Sequence, residues 1–334
     1  MKFRCVLSCF VSVALLFSVS CRFTSVPADT APQGLQHTFS GPEGLPNLVL
    51  LAAFADSGSA EDPDPRIPET YPLDEFSRRI PEFSQLANFS GERFFRLDGG
   101  DRTDTDLLNL GKRITALLSQ DDIAGIIVLL DREGVLETAY FLNITVQSRK
   151  PIIVTETGDD EDLLCSARAA ISGGSSGKGV LLCLTGALLS PRETEYRDLM
   201  DGTGEIVGRV DNTVDFYFET TRRHTADSEF DLSGVSSLPA VEIFIPTPGE
   251  DGSRMAELLD RRPDGVVIDG SSGISRETRS LILSRDIPAV VTGYPAEGTV
   301  FAGDLSARKA RLLLALALTR TSDVSEIQRM FEEY

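Results

Sequence analysis

Short apolar runs and stretches of helical spacing alternate along most of the chain. Apolar residues recur every three or four positions at 107–117 and at 136–144, which predicts helices between the runs. Strands that alternate with helices are typical of α/β proteins with a mainly parallel sheet. The predicted strands of this first series are 47–53, 93–97, 124–130, 151–155 and 178–184.

A second series of the same kind follows a polar, glycine-bearing stretch that reaches about residue 237. Two helices are expected to close the chain, and Asp323 with Glu326 has the spacing of a capping box at the start of the second. The predicted strands of this series are 240–246, 264–269 and 287–293.

The two series predict a two-domain α/β protein, which its 334 residues are long enough to build. We expect a larger N-terminal domain with a mainly parallel sheet at 46–212 and a smaller, Rossmann-like C-terminal α/β domain at 238–334. Residues 213–237 are expected to link them.

The first residues have the organisation of an export signal. Lys2 and Arg4 precede an apolar run of about fifteen residues, the length of a signal-peptide core and short for a spanning helix. The run ends in "FSVSC", similar to a relaxed lipobox with Cys21 as the lipidated residue, so residues 1–20 are a predicted lipoprotein-type signal peptide; a plain secretory signal is the alternative. Residues 21–45 then predict a flexible tether, and the protein is expected in the periplasm or cell envelope.

Charge and cysteine usage narrow the classes of partner. Asp and Glu number 51 against 32 Lys and Arg, and a formal charge of -19 disfavours binding to nucleic acid or to an anionic membrane face. Cys165 and Cys183 have no metal-type spacing and predict two buried thiols, although an oxidising compartment would permit a bridge. No cofactor or metal is predicted.

Ligands of open α/β sheets bind beyond the carboxyl ends of the strands, where the loops converge. Those loops here supply many carboxylates with Arg102 and Arg132, but no lysine, histidine or cysteine. Asp56 and Glu133 suit general acid and base or cation binding, against the alternative of a solvated acidic rim.

Two other motifs have ordinary structural explanations. "GGSSG" at 173–177 matches a nucleophile elbow, but a helix precedes it and a strand follows, the reverse of the required order. It is therefore expected to be a helix-to-strand loop. His37 and His224 are not placed for a catalytic triad, since one lies in the predicted tether and the other between the two domains.

Six segments in succession resemble bacterial L-asparaginases of the exported kind. They are "NLVLLA", "GER" before a strand, "ETAYFLNITVQSRKPIIV", "RRHTADSEFDLSGVSSLPAVEIF", "DGVVIDG" and "ARKARLLLALALTRTSDVSEIQRMFEEY". The resemblance covers about residues 46–334 in order. It implies the two-domain asparaginase fold, an amidohydrolase ancestry and assembly into a homo-oligomer, a dimer or tetramer.

The catalytic motifs of the resembling family are altered in this chain. "AFADSGS" places Asp56 where the family has its threonine nucleophile, and "LDREGVLETAYF" places Arg132 and Glu133 where it has a threonine and an aspartate. "PRETEYR" places Tyr196 where it has its activating lysine. A carboxylate lacks the hydroxyl that acyl-enzyme chemistry needs.

The substrate-binding positions implied by the resemblance are altered too. The serine and glutamine that hold the substrate carboxylate correspond to Gly99 and Gly100, and the asparagine of the second domain to Gly273. These changes together predict a degenerate amidohydrolase with a binding or structural role. Arg132 is expected to pair with Asp56 in the altered cleft.

Two alternatives remain open at the level of sequence. An active enzyme with rearranged groups would use Ser57 or Thr155 as its nucleophile, with a neighbouring carboxylate as the base. A small-anion binding protein would use Arg102, Arg132 and the amides of the glycine loop. Any ligand of such a site is expected to be a small carboxylate or amide.

Overall fold

The computed structural model describes residues 37–39, 42–56, 76, 78–98, 103–156, 158–201, 204–285 and 287–334. Its strands are β1 (His37–Phe39), β2 (Asn47–Asp56), β3 (Asn88–Asp98), β4 (Ile123–Leu130), β5 (Ile152–Glu156), β6 (Val180–Leu184), β7 (Ala187–Leu189), β8 (Ile206–Val210), β9 (Val214–Phe216), β10 (Val241–Phe244), β11 (Gly265–Ile268), β12 (Ala289–Val291) and β13 (Val300–Phe301). Its helices are α1 (Phe83–Leu86), α2 (Asp104–Leu118), α3 (Val135–Thr145), α4 (Asp160–Ile171), α5 (Tyr196–Asp201), α6 (Ser253–Asp260), α7 (Arg276–Ser284), α8 (Ala307–Leu318) and α9 (Val324–Glu333).

The larger sheet has nine strands in the order β1-β3-β2-β4-β5-β6-β7-β8-β9. Strands β3, β2, β4, β5 and β6 run parallel, and β1 at one edge and β7 to β9 at the other are antiparallel. The chain passes from β2 outward to β3 and then crosses back to β4. The strand order therefore reverses at β2, and the carboxyl ends of β2, β4 and β5 lie side by side there.

The core of the large sheet explains why its central strands read as continuous apolar runs. The last five residues of β4 are all aliphatic and buried, since helices cover both faces of the sheet. Helix α3 is buried on all its sides because it contacts β5 and β6 and also α8. It therefore holds the loop in front of it firmly in place.

The smaller sheet has four parallel strands in the order β10-β11-β12-β13. Helix α8 packs on β10 and β11, and α9 packs on β13. The Phe301 N–H in β13 donates to Gln328 Oε1 at 2.8 Å, which satisfies part of the strand edge. The fold class is thereby confirmed: a larger, mainly parallel sheet is accompanied by a smaller parallel α/β unit. The domain boundaries stay predictions.

Three parts of the chain differ from expectation. The stretch after Leu184 contains β7, β8, α5 and β9, and β9 lies inside the segment predicted as a linker. Residues 37–39 of the predicted tether form β1, which pairs with β3 at the sheet edge. These strands have three to five residues, too few for an alternation of apolar and polar residues to identify them.

Other local predictions are confirmed. The "GGSSG" segment lies between α4 and β6 as a helix-to-strand loop. Cys165 and Cys183 are buried, unpaired thiols. Asp323 caps α9 by accepting the Glu326 N–H at 2.8 Å. No helix in the described part of the chain combines the length and apolarity that a membrane crossing requires.

One ion pair near the end of the chain should make stability depend on acid pH. Asp304 accepts from Arg192 Nη2 at 2.7 Å, and this bond lowers the pKa of Asp304. Because the folded-state pKa is depressed, the stabilisation is complete above the ordinary aspartate pKa of about 3.9 and is lost as the pH falls through the folded value.

We therefore expect Asp304→Asn to lower the free energy of unfolding by about 1 kcal/mol near neutral pH, since the carboxylate is largely exposed. Urea unfolding of both proteins should show the difference shrinking below about pH 4. Asp121→Asn, at an exposed turn, is the control. A difference for Asp304→Asn that is unchanged between neutral and acid pH would contradict this assignment.

Candidate functional site

The loop after β4 is the centre of the candidate site. It contains Asp131, Arg132, Glu133 and Gly134 and leads directly into α3. Gly134 has a φ of 78°, a left-handed conformation that favours glycine. This turn aims the Gly134 N–H at Tyr196, whose hydroxyl oxygen accepts it at 2.9 Å.

Tyr196 is held in place on both sides of its hydroxyl group. The hydroxyl accepts from Gly134 and donates to Glu137 Oε2 at 2.6 Å. Burial, followed by the hydrogen bond and charge of Glu137, raises the pKa of Tyr196 above its ordinary value. The phenol therefore stays protonated at neutral pH and is a donor to Glu137.

A residue of the small-sheet part completes this cluster. The guanidinium of Arg308 lies 5.9 Å from the centre of the Tyr196 ring, and its Nη1 is 3.3 Å from Glu137 Oε1. Glu137 is largely buried, with 18% of its side chain exposed, so two neighbouring donors compensate its charge. The cluster links α3, α5 and α8.

Arg132 forms a bidentate ion pair with Glu156. Its Nε is 3.1 Å from both carboxylate oxygens and its Nη2 is 2.9 Å from Oε2. The hydrogen bonds and charge of Glu156 raise the pKa of Arg132. Because Leu130 and Glu156 are register partners in neighbouring strands, an arginine two residues after Leu130 lies beside Glu156.

Arg132 was predicted to pair with Asp56. In the described part of the chain, Arg132 pairs with Glu156. Asp56 ends β2 opposite Asp98 of β3, and its side chain lies outside the described residues. A contact between Asp56 and Arg132 therefore stays a prediction.

The other predicted site residues are dispersed. Glu133 is exposed, and Gly273 follows the turn Gly270–Ser272 after β11 with a φ of 82°. Thr155 is fully buried and donates to the Cys183 carbonyl at 2.8 Å. The remaining predicted positions lie outside the described residues: Cys21, Ser57, Gly99, Gly100 and Arg102.

The sequence did not identify Glu156 as the partner of Arg132 or Glu137 as the partner of Tyr196. Glu156 directly follows the predicted strand 151–155, and Glu137 lies three residues after Gly134, so the sequence placed both near this loop without showing their contacts. No pattern in the sequence pointed to Arg308 as a partner of Glu137, because 171 residues separate the two. The Nδ1 of His224 lies 3.0 Å from Thr225 Oγ1, and burial lowers the pKa of His224.

Among the described residues, no three His, Cys, Asp or Glu side chains are grouped as they would be to hold a metal ion. The described site contains the neutral phenol of Tyr196, the ion pair of Arg132 with Glu156, and the Glu137 carboxylate paired with Arg308. It suits hydrogen bonding and charge recognition more than nucleophilic attack.

Two tyrosines offer a matched test of the hydroxyl contacts. We expect Tyr196→Phe to lower the free energy of unfolding by about 1.5–3 kcal/mol, because it removes the hydrogen bond to Glu137 Oε2 and leaves the Gly134 N–H without its acceptor. Tyr140→Phe should change it by less than about 0.5 kcal/mol or stabilise, since the buried Tyr140 hydroxyl has no hydrogen-bond partner in the described part. Denaturant unfolding measures both, and equal losses would contradict the Tyr196 contacts.

Comparison with known proteins relates the chain to amide hydrolases. Residues 58–198 match the family described as Asparaginase, N-terminal. The chain is 28% identical to L-asparaginase 2 of Bacillus subtilis (strain 168) over 326 residues, 87% of each protein. It is 27% identical over 339 residues to the probable periplasmic L-asparaginase of Haemophilus influenzae, covering 90% of this chain and 97% of the relative.

A solved structure gives the same relationship at the level of the fold. The crystal structure of the probable cytoplasmic L-asparaginase from Campylobacter jejuni superposes with a TM-score of 0.76 at 25% sequence identity. The match covers 86% of this chain and all of that one. The similarity therefore extends over both sheets.

Proposed function

We propose that this chain, which belongs to the asparaginase family, has lost amide hydrolysis and acts as a binding or structural protein of the cell envelope. The observation that carries the proposal is the state of Tyr196, which takes the position of the family's activating lysine by resemblance. Its hydroxyl is a donor to Glu137, and its raised pKa keeps it protonated. It cannot take a proton from a nucleophile as a neutral amine does.

The loop after β4 supports the same conclusion. Arg132 takes the position of a family threonine by resemblance, and its guanidinium is already bound to Glu156. A guanidinium is neither a nucleophile nor a base at physiological pH. Removing a catalytic group typically costs several powers of ten in rate, and here several such positions differ together.

An active enzyme with rearranged groups has less support. Thr155, one of its two proposed nucleophiles, is fully buried, and its hydroxyl donates to the Cys183 carbonyl rather than to a base. Ser57 stays as the other candidate. A small-anion site centred on Arg132 is also less favourable, because Glu156 already compensates its charge.

The cellular setting follows from the leader and the relatives. The predicted signal peptide and the periplasmic relative favour export, and Cys21 is the proposed lipid anchor. The structural neighbour from Campylobacter jejuni is described as cytoplasmic, so the location is proposed from the leader of this chain. We also propose a homo-oligomer, by resemblance to the family.

Intact-mass spectrometry tests the loss of covalent catalysis. Purified protein is mixed with excess L-asparagine or L-glutamine, quenched in acid within seconds and weighed. The proposal predicts an unchanged mass, because the Thr155 hydroxyl donates to a main-chain carbonyl and Tyr196 takes the position of the activating lysine by resemblance. A mass increase matching the acyl group, absent from Ser57→Ala or Thr155→Ala, would establish the rearranged enzyme instead.

A further inference from the structure

A pocket of about 270 Å³ lies between the two sheets, and Glu137, Tyr196 and Arg308 of the candidate site are among its lining residues. One wall comes from α3 and α5, and the other from the small sheet and the start of α8. Ile245 directly follows β10 and Asp269 directly follows β11, so the pocket lies at the carboxyl ends of two parallel strands. Ligands of open α/β sheets bind at such ends.

Part of the pocket wall is aliphatic. Leu136, Ile243 and Ile245 line it, and 57% of Ile245 is exposed to solvent. A large aliphatic side chain exposed inside a concave site favours an apolar part of a ligand. The wall therefore suits a short branched hydrocarbon chain.

Two carboxylates on the wall have acceptor capacity left. Asp269 uses Oδ1 for the Ser271 N–H at 3.0 Å and has no ion-pair partner among the described residues. Glu195 uses Oε1 for Lys309 at 2.8 Å, and no contact of its Oε2 is found in the described part. An ammonium group with three N–H donors matches these oxygens.

Groups that attract a negative charge lie at the start of α8. Ser306 is the N-cap residue of this 12-residue helix, but its side chain makes no capping hydrogen bond. Arg308 is 70% exposed, and its one ion pair in the described part is a single 3.3 Å contact through Nη1 with Glu137, whereas Arg132 binds Glu156 through two nitrogens. The helix N-terminus, the Ser306 hydroxyl and the guanidinium together suit a carboxylate.

We propose that this pocket binds a small zwitterion with an aliphatic side chain, an α-amino acid of the size of leucine. The carboxylate lies at Ser306 and Arg308, the ammonium lies at Asp269 and Glu195, and the side chain contacts Ile243 and Ile245. The volume lies just below the range of about 300–1,000 Å³ typical of drug-sized ligands, which suits so small a molecule. Because the pocket shares Glu137, Tyr196 and Arg308 with the candidate site, this inference rests on the proposed binding role and names its ligand. Binding is measured separately from ammonia release, so the two can fail independently.

Isothermal titration with three probes tests the two charged ends separately. L-Leucine carries both charges, 4-methylpentanoate lacks the ammonium and 3-methylbutylamine lacks the carboxylate. We expect L-leucine to bind and each analogue to bind at least about tenfold more weakly. Equal binding of either analogue, or no saturation by about 10 mM L-leucine, would overturn the proposal.

Two substitutions locate the site within the molecule. Asp269→Asn keeps an acceptor for the Ser271 N–H but removes the charge, and Arg308→Gln removes the guanidinium. Each should weaken L-leucine binding at least about tenfold, while Arg285→Gln, in an exposed ion pair with Asp260, should leave it unchanged. Thermal unfolding of each variant establishes that it is folded. L-Leucine affinity that is the same in all the folded variants would overturn the assignment to this pocket.

Discussion

Arg113→Met is expected to lower the free energy of unfolding by about 3–5 kcal/mol. Arg113 binds Glu92 through two nitrogens, with Nε at 2.9 and 3.1 Å from the carboxylate oxygens and Nη2 at 2.6 Å. Only 5% of the Glu92 side chain and 15% of Arg113 are exposed. Removing the arginine leaves a carboxylate unpaired in the interior between β3 and α2, which is costly because water cannot solvate it.

Urea unfolding measures this loss of stability, and a double variant and a surface variant serve as controls. The double variant Glu92→Leu with Arg113→Met removes both charges and should recover most of the stability. Arg285→Met, in an exposed ion pair, should cost no more than about 1 kcal/mol. A loss for Arg113→Met as small as that for Arg285→Met would show that water reaches the buried pair.

Lys309→Met should be nearly as destabilising, by about 2–5 kcal/mol. Only 2% of the Lys309 side chain is exposed. Its ammonium donates to the carbonyls of Arg192 and Thr194 at 3.0 and 2.5 Å, and to the Glu195 carboxylate at 2.8 Å. Methionine fills similar space but donates nothing. Two buried carbonyls then lose their partner, at about 1–3 kcal/mol for each buried polar group.

Lys150→Met is the matched control for Lys309→Met. Its ammonium also donates to a main-chain carbonyl, that of Gln120 at 2.6 Å, but in a site exposed to water. Its loss should stay within about 0.5 kcal/mol, since water replaces the donor. Thermal and urea unfolding of both variants decide the point, and equal small losses would contradict the buried role of Lys309.

The sequence predicted the elements that bury long apolar runs and missed those that do not. Strand β4 and helix α3 have enough apolar residues in a regular pattern to be identified alone. Strands β7 and β9 have three residues each and depend on their neighbours in the sheet. Such strands are fixed by tertiary pairing, which local patterns do not contain.

The pairings of the residues in the loop after β4 were not predicted, and its role as the functional site stays a prediction. The carboxyl ends of the strands identified the loop after β4 as the place to look. The partner chosen for Arg132 depends on the register of β4 against β5, and Arg308 reaches Glu137 from across 171 residues of chain. Neither the register between two strands nor a contact between residues so far apart in the chain can be predicted from a single sequence.

Ammonia release tests the central claim most directly. Purified residues 22–334 would be incubated with L-asparagine and with L-glutamine across a wide pH range, beside L-asparaginase 2 of Bacillus subtilis as the active control. We expect no release above background, at least about 10⁴-fold below the control, because Tyr196 cannot act as a base and Arg132 is bound to Glu156. Release well above background by the folded protein would contradict the loss of amide hydrolysis.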